Sequence, residues 1–131
     1  ARGGTETILV VEDEPPVREL VCSFLQTHGY KILTAESGAR ALEIWREHRN
    51  EIALLLTDVV MPDRLSGREL AEQLWAERPS LRVIFTSGYS PGMAGKELPT
   101  VSHSNFLPKP YSVNKLAEVV RNVLDQPSVA N

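Results

Sequence analysis

Five residues of this chain have the types and positions from which chemistry can be built: Glu12, Asp13, Asp58, Thr86 and Lys109. Carboxylates gathered in one place repel one another and stay ionised together only beside a cation. Oxygen donors without His or Cys suit a hard ion, and Mg²⁺ keeps several of its waters in such a setting. An Asp carboxylate can also attack phosphorus and form an aspartyl phosphate. A metal and a lysine would neutralise charge on the transferring group, and a threonine hydroxyl would hydrogen-bond one of its oxygens. Each residue taken alone has a plainer reading. Glu12-Asp13 could cap a helix, Asp58 could sit in a strand-end turn, Thr86 could be an ordinary strand residue and Lys109 a solvated lysine. The chemical reading therefore depends on whether the fold brings them together.

The elements that would do so are legible as an alternation. Ile8-Leu9-Val10-Val11 is a short apolar run that ends in Glu12-Asp13. A helical pattern runs from Pro15 to about His28, with Val17, Leu20, Val21, Phe24 and Leu25 on one side. Asp13 is its expected cap, a proline fits its first turn, and Gly29 ends it. Lys31 to Ala35 reads as a second strand, and Ser37 opens a second helix through Ala41, Leu42 and Trp45. Ile52 to Leu56 is continuously apolar, as in a strand covered on both faces, and leads to Asp58. Ser66 and Glu69 form a capping-box pattern for a third helix through Leu70, Leu74 and Trp75, with Pro79 just beyond. Leu81 to Phe85 is a fourth strand leading to Thr86-Ser87, and Phe106-Leu107 is the core of a fifth, just before Lys109-Pro110. Ser112 opens a final helix carrying Leu116, Val119, Val120, Val123 and Leu124. Tyr89 to Asn105 lacks a sustained apolar period and contains Pro91, Gly92, Gly95 and Pro99. The helix that the alternation requires there is expected to be short, distorted or mobile.

Strands alternating with helices predict a parallel sheet with both faces covered and right-handed crossovers. Ligands of such sheets bind outside the carboxyl ends of the strands. Under that rule three carboxylates, a hydroxyl and an ammonium converge on one rim.

Composition narrows the function. The length suits one hydrophobic core, and a formal net charge of −3 offers no large basic surface for nucleic acid or anionic membrane. No apolar run approaches a membrane span and no signal peptide is visible. The single cysteine, Cys22, allows neither an internal disulfide nor a Cys-based metal cluster, and a cytoplasmic location is expected. His28, His48 and His103 lack metal-ligand spacing. No Gly-rich turn follows the first strand, which argues against a dinucleotide site. Residues 1–5 read as a linker or appended chain end, residues 6–125 as one domain, and residues 126–131 as a disordered tail.

Four segments carry a family resemblance: Ile8-Leu-Val-Val-Glu-Asp-Glu14, Leu56-Thr-Asp-Val-Val-Met-Pro62, Phe85-Thr-Ser-Gly-Tyr89 and Phe106-Leu-Pro-Lys-Pro-Tyr111. Together they resemble the receiver domains of bacterial two-component systems over residues 6–125. The similarity is greatest to receivers fused behind sensor histidine kinases, in the opening Gly4-Thr5-Glu6-Thr7, the loop from Asp58 to Gly67 and the irregular Tyr89–Asn105 segment. The resemblance implies a flavodoxin-like, doubly wound α/β fold with a five-stranded parallel sheet in the order 2-1-3-4-5, helices on both faces, and a fourth helix that is short or irregular.

The resemblance also implies roles. Asp58 is similar to the phosphoacceptor. Mg²⁺ would be held by Asp13 and Asp58, by the Val60 carbonyl, and by Glu12 mostly through water. Thr86 resembles the switch hydroxyl, Phe106 the switch aromatic, and Lys109 the lysine that contacts the phosphoryl group, with a Lys109-Pro110 bond often cis in such domains. The implied partner is a histidine kinase or histidine phosphotransfer domain, which would dock near Pro16, Val17, Leu20, Pro110 and Tyr111. Neither nucleic acid nor direct membrane contact is expected, and the chain is expected to be a monomer or weak dimer. It would act as a switch, not a turnover enzyme. An aspartyl-phosphate hydrolase would carry a second Asp where Val60 stands, and a receiver reduced to a binding module would not need the full acid, Thr and Lys set.

Overall fold

In a computed structural model of the chain, residues 3–61, 65–87 and 104–126 are described. The elements run β1 (Thr7–Val11), α1 (Pro15–Thr27), β2 (Lys31–Ala35), α2 (Gly38–His48), β3 (Ile52–Asp58), α3 (Gly67–Glu77), β4 (Arg82–Ser87), β5 (Ser104–Pro108) and α4 (Val113–Asp125). All pairings are parallel and the strand order is β2-β1-β3-β4-β5. The flavodoxin-like topology is therefore as expected.

Alternation along the strands divides the core into two layers. Leu9, Val11, Leu55, Val83 and Phe85 face α2 and α3, where they meet Ala41, Trp45, Leu70 and Leu74. Ile8, Val10, Leu54, Leu56 and Ile84 face α1 and α4, where they meet Val21, Leu25, Leu116 and Val120. Strands β1 and β3 are buried on both sides, which is why their sequences are apolar without interruption. Strand β2 lies at the sheet edge and reads differently, with Lys31 exposed at its start.

Side-chain caps place three of the four described helices. Ser37 accepts from the Arg40 N–H, Ser66 and Glu69 close a reciprocal capping box, and Ser112 accepts from the Lys115 N–H. Helix α1 departs from expectation. Its N-cap is Glu14, not Asp13, and no side chain caps it. Two prolines fill its first turn, so there are fewer N–H groups to satisfy. Asp13 is thereby left for the site. At the other end Gly29 adopts φ +96°, a conformation that suits glycine.

Strand β5 begins at Ser104, two residues inside the stretch expected to be irregular. The rest of that stretch, with its expected helix and His103, lies outside the described residues. Two of the opening residues make hydrogen bonds to the domain. Gly4 N–H donates to the His28 carbonyl at 3.0 Å, and Arg121 donates to the Gly3 carbonyl at 3.1 Å. At the far end the Gln126 carbonyl accepts from Arg82 at 2.6 Å.

Gly67 tests how closely α3 approaches the sheet. A Cβ there would fall 2.0 Å from the Asp58 carbonyl oxygen, and neither partner is a flexible side chain. Helix propensity alone favours Gly67→Ala by about 1 kcal/mol. The close approach outweighs it, so Gly67→Ala is expected to destabilise by roughly 2–4 kcal/mol in urea unfolding. A neutral or stabilising result would mean that α3 is free to move away from β3.

Candidate functional site

The register of the sheet assembles the site. Val11 pairs with Thr57, so Glu12 and Asp58 follow side by side. Asp58 in turn pairs with Thr86, and Thr86 with Leu107, two residues before Lys109. Glu12, Asp13 and Asp58 each offer an oxygen within 4.8 Å of the others. Glu12 and Asp58 are buried, at 4 % and 8 % exposure, while Asp13 is more open. The Lys109-Pro110 peptide is cis, and the Lys109 ammonium lies between two of the acids. Its Nζ donates to Glu12 Oε1 at 2.9 Å and to Asp58 Oδ2 at 3.1 Å.

Electrostatics follow from this geometry. Burial raises the Asp58 carboxyl, Lys109 opposes that, and the negative charges of Glu12 and Asp13 add to it, so Asp58 is pushed up to about 6. Burial works against the Lys109 ammonium, but the hydrogen bonds and charges of Glu12 and Asp58 outweigh it and hold Lys109 above the ordinary lysine range. Tyr111 is pushed up to about 12 by burial and by the charge on Glu12, so its phenol stays neutral.

The donor set fits Mg²⁺. It consists of carboxylate oxygens alone, crowded enough to need positive charge beyond one lysine. Glu12 has both oxygens engaged, Oε1 with Lys109 and Oε2 with the Glu14 N–H at 3.2 Å. Asp13 carries no such bond among those described and, with Asp58, offers the less engaged oxygens of the cluster. Val60 sits in the turn after β3 with its side chain 49 % exposed. Thr86 is buried at 2 % exposure beside Asp58. Phe106 pairs with Phe85, and its side chain packs with the layer under α2 and α3.

Two features of the site had no signal in the motifs. Arg18 Nη1 donates to the Glu12 carbonyl at 2.8 Å, and the Gly67 N–H donates to the Val59 carbonyl at 2.8 Å. Arg18 is an arginine in the second turn of an amphipathic helix, which in sequence looks like a solvated residue. Gly67 follows the capping serine and looks like an ordinary helix start.

Known proteins carry the same arrangement of sequence. The family model described as response regulator receiver domain matches residues 8–121. The sensor kinase CckA of Brucella abortus is 39% identical over 123 residues, covering 94% of this chain but 13% of the kinase. The chain thus spans a small part of that relative. Among solved structures, the receiver domain of the hybrid histidine kinase CckA superposes with a TM-score of 0.77 at 35% identity, covering 91% of this chain and 99% of that one. The response regulator TrrA of Thermotoga maritima, solved in complex with Mg²⁺-BeF, gives a TM-score of 0.75 at 30% identity, with 91% and 99% covered.

The raised Asp58 carboxyl makes a stability prediction. Its folded value lies above the unfolded one, so its favourable contribution is complete below about pH 4 and is lost as pH rises through about 6. Above that value the ionised form opposes folding. Asp58→Asn removes the penalty and is expected to stabilise the metal-free chain by about 1–3 kcal/mol at pH 7.5, with the gain shrinking towards pH 4. Urea unfolding across this pH range, with chelator and then with excess Mg²⁺, checks it. Excess Mg²⁺ is expected to reverse the order of the two proteins.

Proposed function

The chain belongs to the response regulator receiver domain family, and on that premise we propose that it accepts a phosphoryl group from phosphohistidine onto Asp58 and thereby switches its partner interactions. The observation that carries this reading is the placement of Asp58, packed at 8 % exposure among two further acids and 3.1 Å from the Lys109 ammonium. Such a carboxylate is oriented, and partly charge-balanced by Lys109, before any substrate arrives.

One Asp58 oxygen attacks phosphorus in line. The P–N bond to the donor imidazole breaks, and the nitrogen leaves with the bonding pair. Lys109 balances the added negative charge. Asp13 and Asp58, with the Val60 carbonyl and with Glu12 through water, would hold Mg²⁺, which when bound neutralises charge on the phosphoryl oxygens. The likeness to TrrA, solved in complex with Mg²⁺-BeF, supports a Mg²⁺ site in this chain. The Thr86 hydroxyl then hydrogen-bonds a phosphoryl oxygen, and Phe106 follows it. Attack of water on phosphorus returns the carboxylate. The domain assists its own phosphorylation and dephosphorylation as a switch and is not a turnover enzyme.

A groove of about 480 Å³ beside the site suits the donor. It is lined by Val17, Leu20, Val21, Lys109, Pro110, Tyr111 and Val113. Leu20 is 59 % exposed there, an apolar surface that a helix of a histidine kinase or histidine phosphotransfer domain would cover. Lys109 belongs to both groove and site, so a partner seated in the groove lies next to Asp58. The likeness to CckA supports assignment to the receiver part of a hybrid sensor histidine kinase, working in the cytoplasm as a monomer or weak dimer without nucleic acid or direct membrane contact. No helix among the described residues is long and apolar enough to cross a membrane.

Incubation with a phosphorylated histidine phosphotransfer domain and Mg²⁺, read by intact mass, tests the proposal. One phosphoryl adduct is expected, lost with chelator and absent from Asp58→Asn. No transfer from any histidine donor, with Mg²⁺ bound, would sink it.

A further inference from the structure

The turn from β1 into α1 carries two of the three acids, yet it lacks an ordinary helix-start fastening. The Glu14 side chain makes no capping bond, though its carbonyl accepts from the Arg18 N–H at 2.9 Å, and prolines occupy the first turn of α1. The turn is fixed instead by bonds that all meet at Glu12. Its N–H donates to the Ala35 carbonyl at 3.0 Å, its Oε2 accepts from the Glu14 N–H at 3.2 Å, and its carbonyl accepts from Arg18 Nη1 at 2.8 Å. The Arg18 bond is the shortest of the set. Arg18 is half-buried, and among the described residues it forms no ion pair and no hydrogen bond to any of the three carboxylates. A cation placed so close to acids without pairing with them is holding the backbone.

We propose that Arg18 is a positioning residue for divalent-cation binding: by holding the Glu12 carbonyl it orients the Glu12–Asp13 peptide so that the Asp13 carboxylate faces Asp58. The inference rests on the Mg²⁺ reading of the acidic cluster. Two effects of opposite sign follow from one guanidinium. Its positive charge repels a second cation, so its removal would tighten Mg²⁺ binding. Its hold on the turn preorganises Asp13, so its removal would weaken binding. Salt screens the first effect over about 8 Å at physiological ionic strength and leaves the second intact. Groups that orient a ligand without touching the metal typically change affinity by about tenfold or more, which is the scale on which positioning prevails here.

Calorimetric titration of the whole chain with Mg²⁺ separates the two. Arg18→Ala is expected to weaken binding about tenfold at a temperature where circular dichroism shows it folded, and to stay weakened as salt is raised. Arg18→Lys, which keeps a donor and the charge, is expected to recover most of the loss. Binding by Arg18→Ala as tight as the unaltered chain, or tighter, overturns the inference. If Arg18→Ala does not fold, Arg18→Lys and Arg18→Gln decide: tighter binding by Lys supports positioning, and tighter binding by Gln overturns it. Failure of the unaltered chain to bind Mg²⁺ at all would instead overturn the reading of the acidic cluster.

Discussion

Mutual repulsion among Glu12, Asp13 and Asp58 is the constraint around which the rest of this structure is arranged. Carboxylate oxygens that approach within 4.8 Å of one another interact by roughly 3–4 kcal/mol per ionised pair near a protein surface. One ammonium, shared by Lys109 between Glu12 and Asp58, offsets part of this. Burial, with the remaining repulsion added to it, pushes the Asp58 carboxyl up to about 6. That repulsion also suits the cluster to a divalent cation and, in the proposed function, to a phosphoryl group whose negative charge that cation and Lys109 would share.

Such a cluster persists only on a scaffold that cannot relax away from it. Strands β1 and β3 are buried on both faces, and their neighbours hold them in parallel register up to the residues that carry the acids. Helix α3 starts so close to β3 that only glycine fits at position 67. Helix α1 starts after a turn fastened through Glu12 to Ala35, Glu14 and Arg18. The acids thus sit at points where strands stop and helices begin, and those points are fixed mostly by contacts to the backbone, with the Glu12 carboxylate itself accepting from the Glu14 N–H.

The same lysine that balances the acids also borders the apolar groove between α1 and the start of α4. In the proposed function, chemistry and partner recognition therefore share an atom group. An occupant of the groove and a change in charge on Asp58 both act on Lys109, which gives the proposed switch a short physical route between site and surface. Thr86, buried beside Asp58, and Phe106, packed in the opposite layer, lie on neighbouring strands.

Much of this could be read from residue order. Apolar runs of strand length, amphipathic helical stretches, and Ser caps at positions 37, 66 and 112 depend on neighbours within a few residues, so local physics suffices to place them. Glu12, Asp13, Asp58, Thr86 and Lys109 were legible because each stands at the carboxyl end of a strand, where open parallel sheets bind ligands. Other features depend on contacts between distant segments. Asp13 looked like a helix cap until the packing of α1 assigned that place to Glu14. The start of β5 at Ser104 was hidden because pairing with Val83 and Ile84, not intrinsic preference, makes those residues a strand. Sequence alone thus determined which residues are apolar, which turns can form and which chemical groups stand at strand ends. Tertiary structure alone decided that Lys109 reaches both Glu12 and Asp58, that Arg18 holds a carbonyl six residues back, and that α3 presses against Asp58. Those are distances set by strand register and helix packing, and no local preference encodes them.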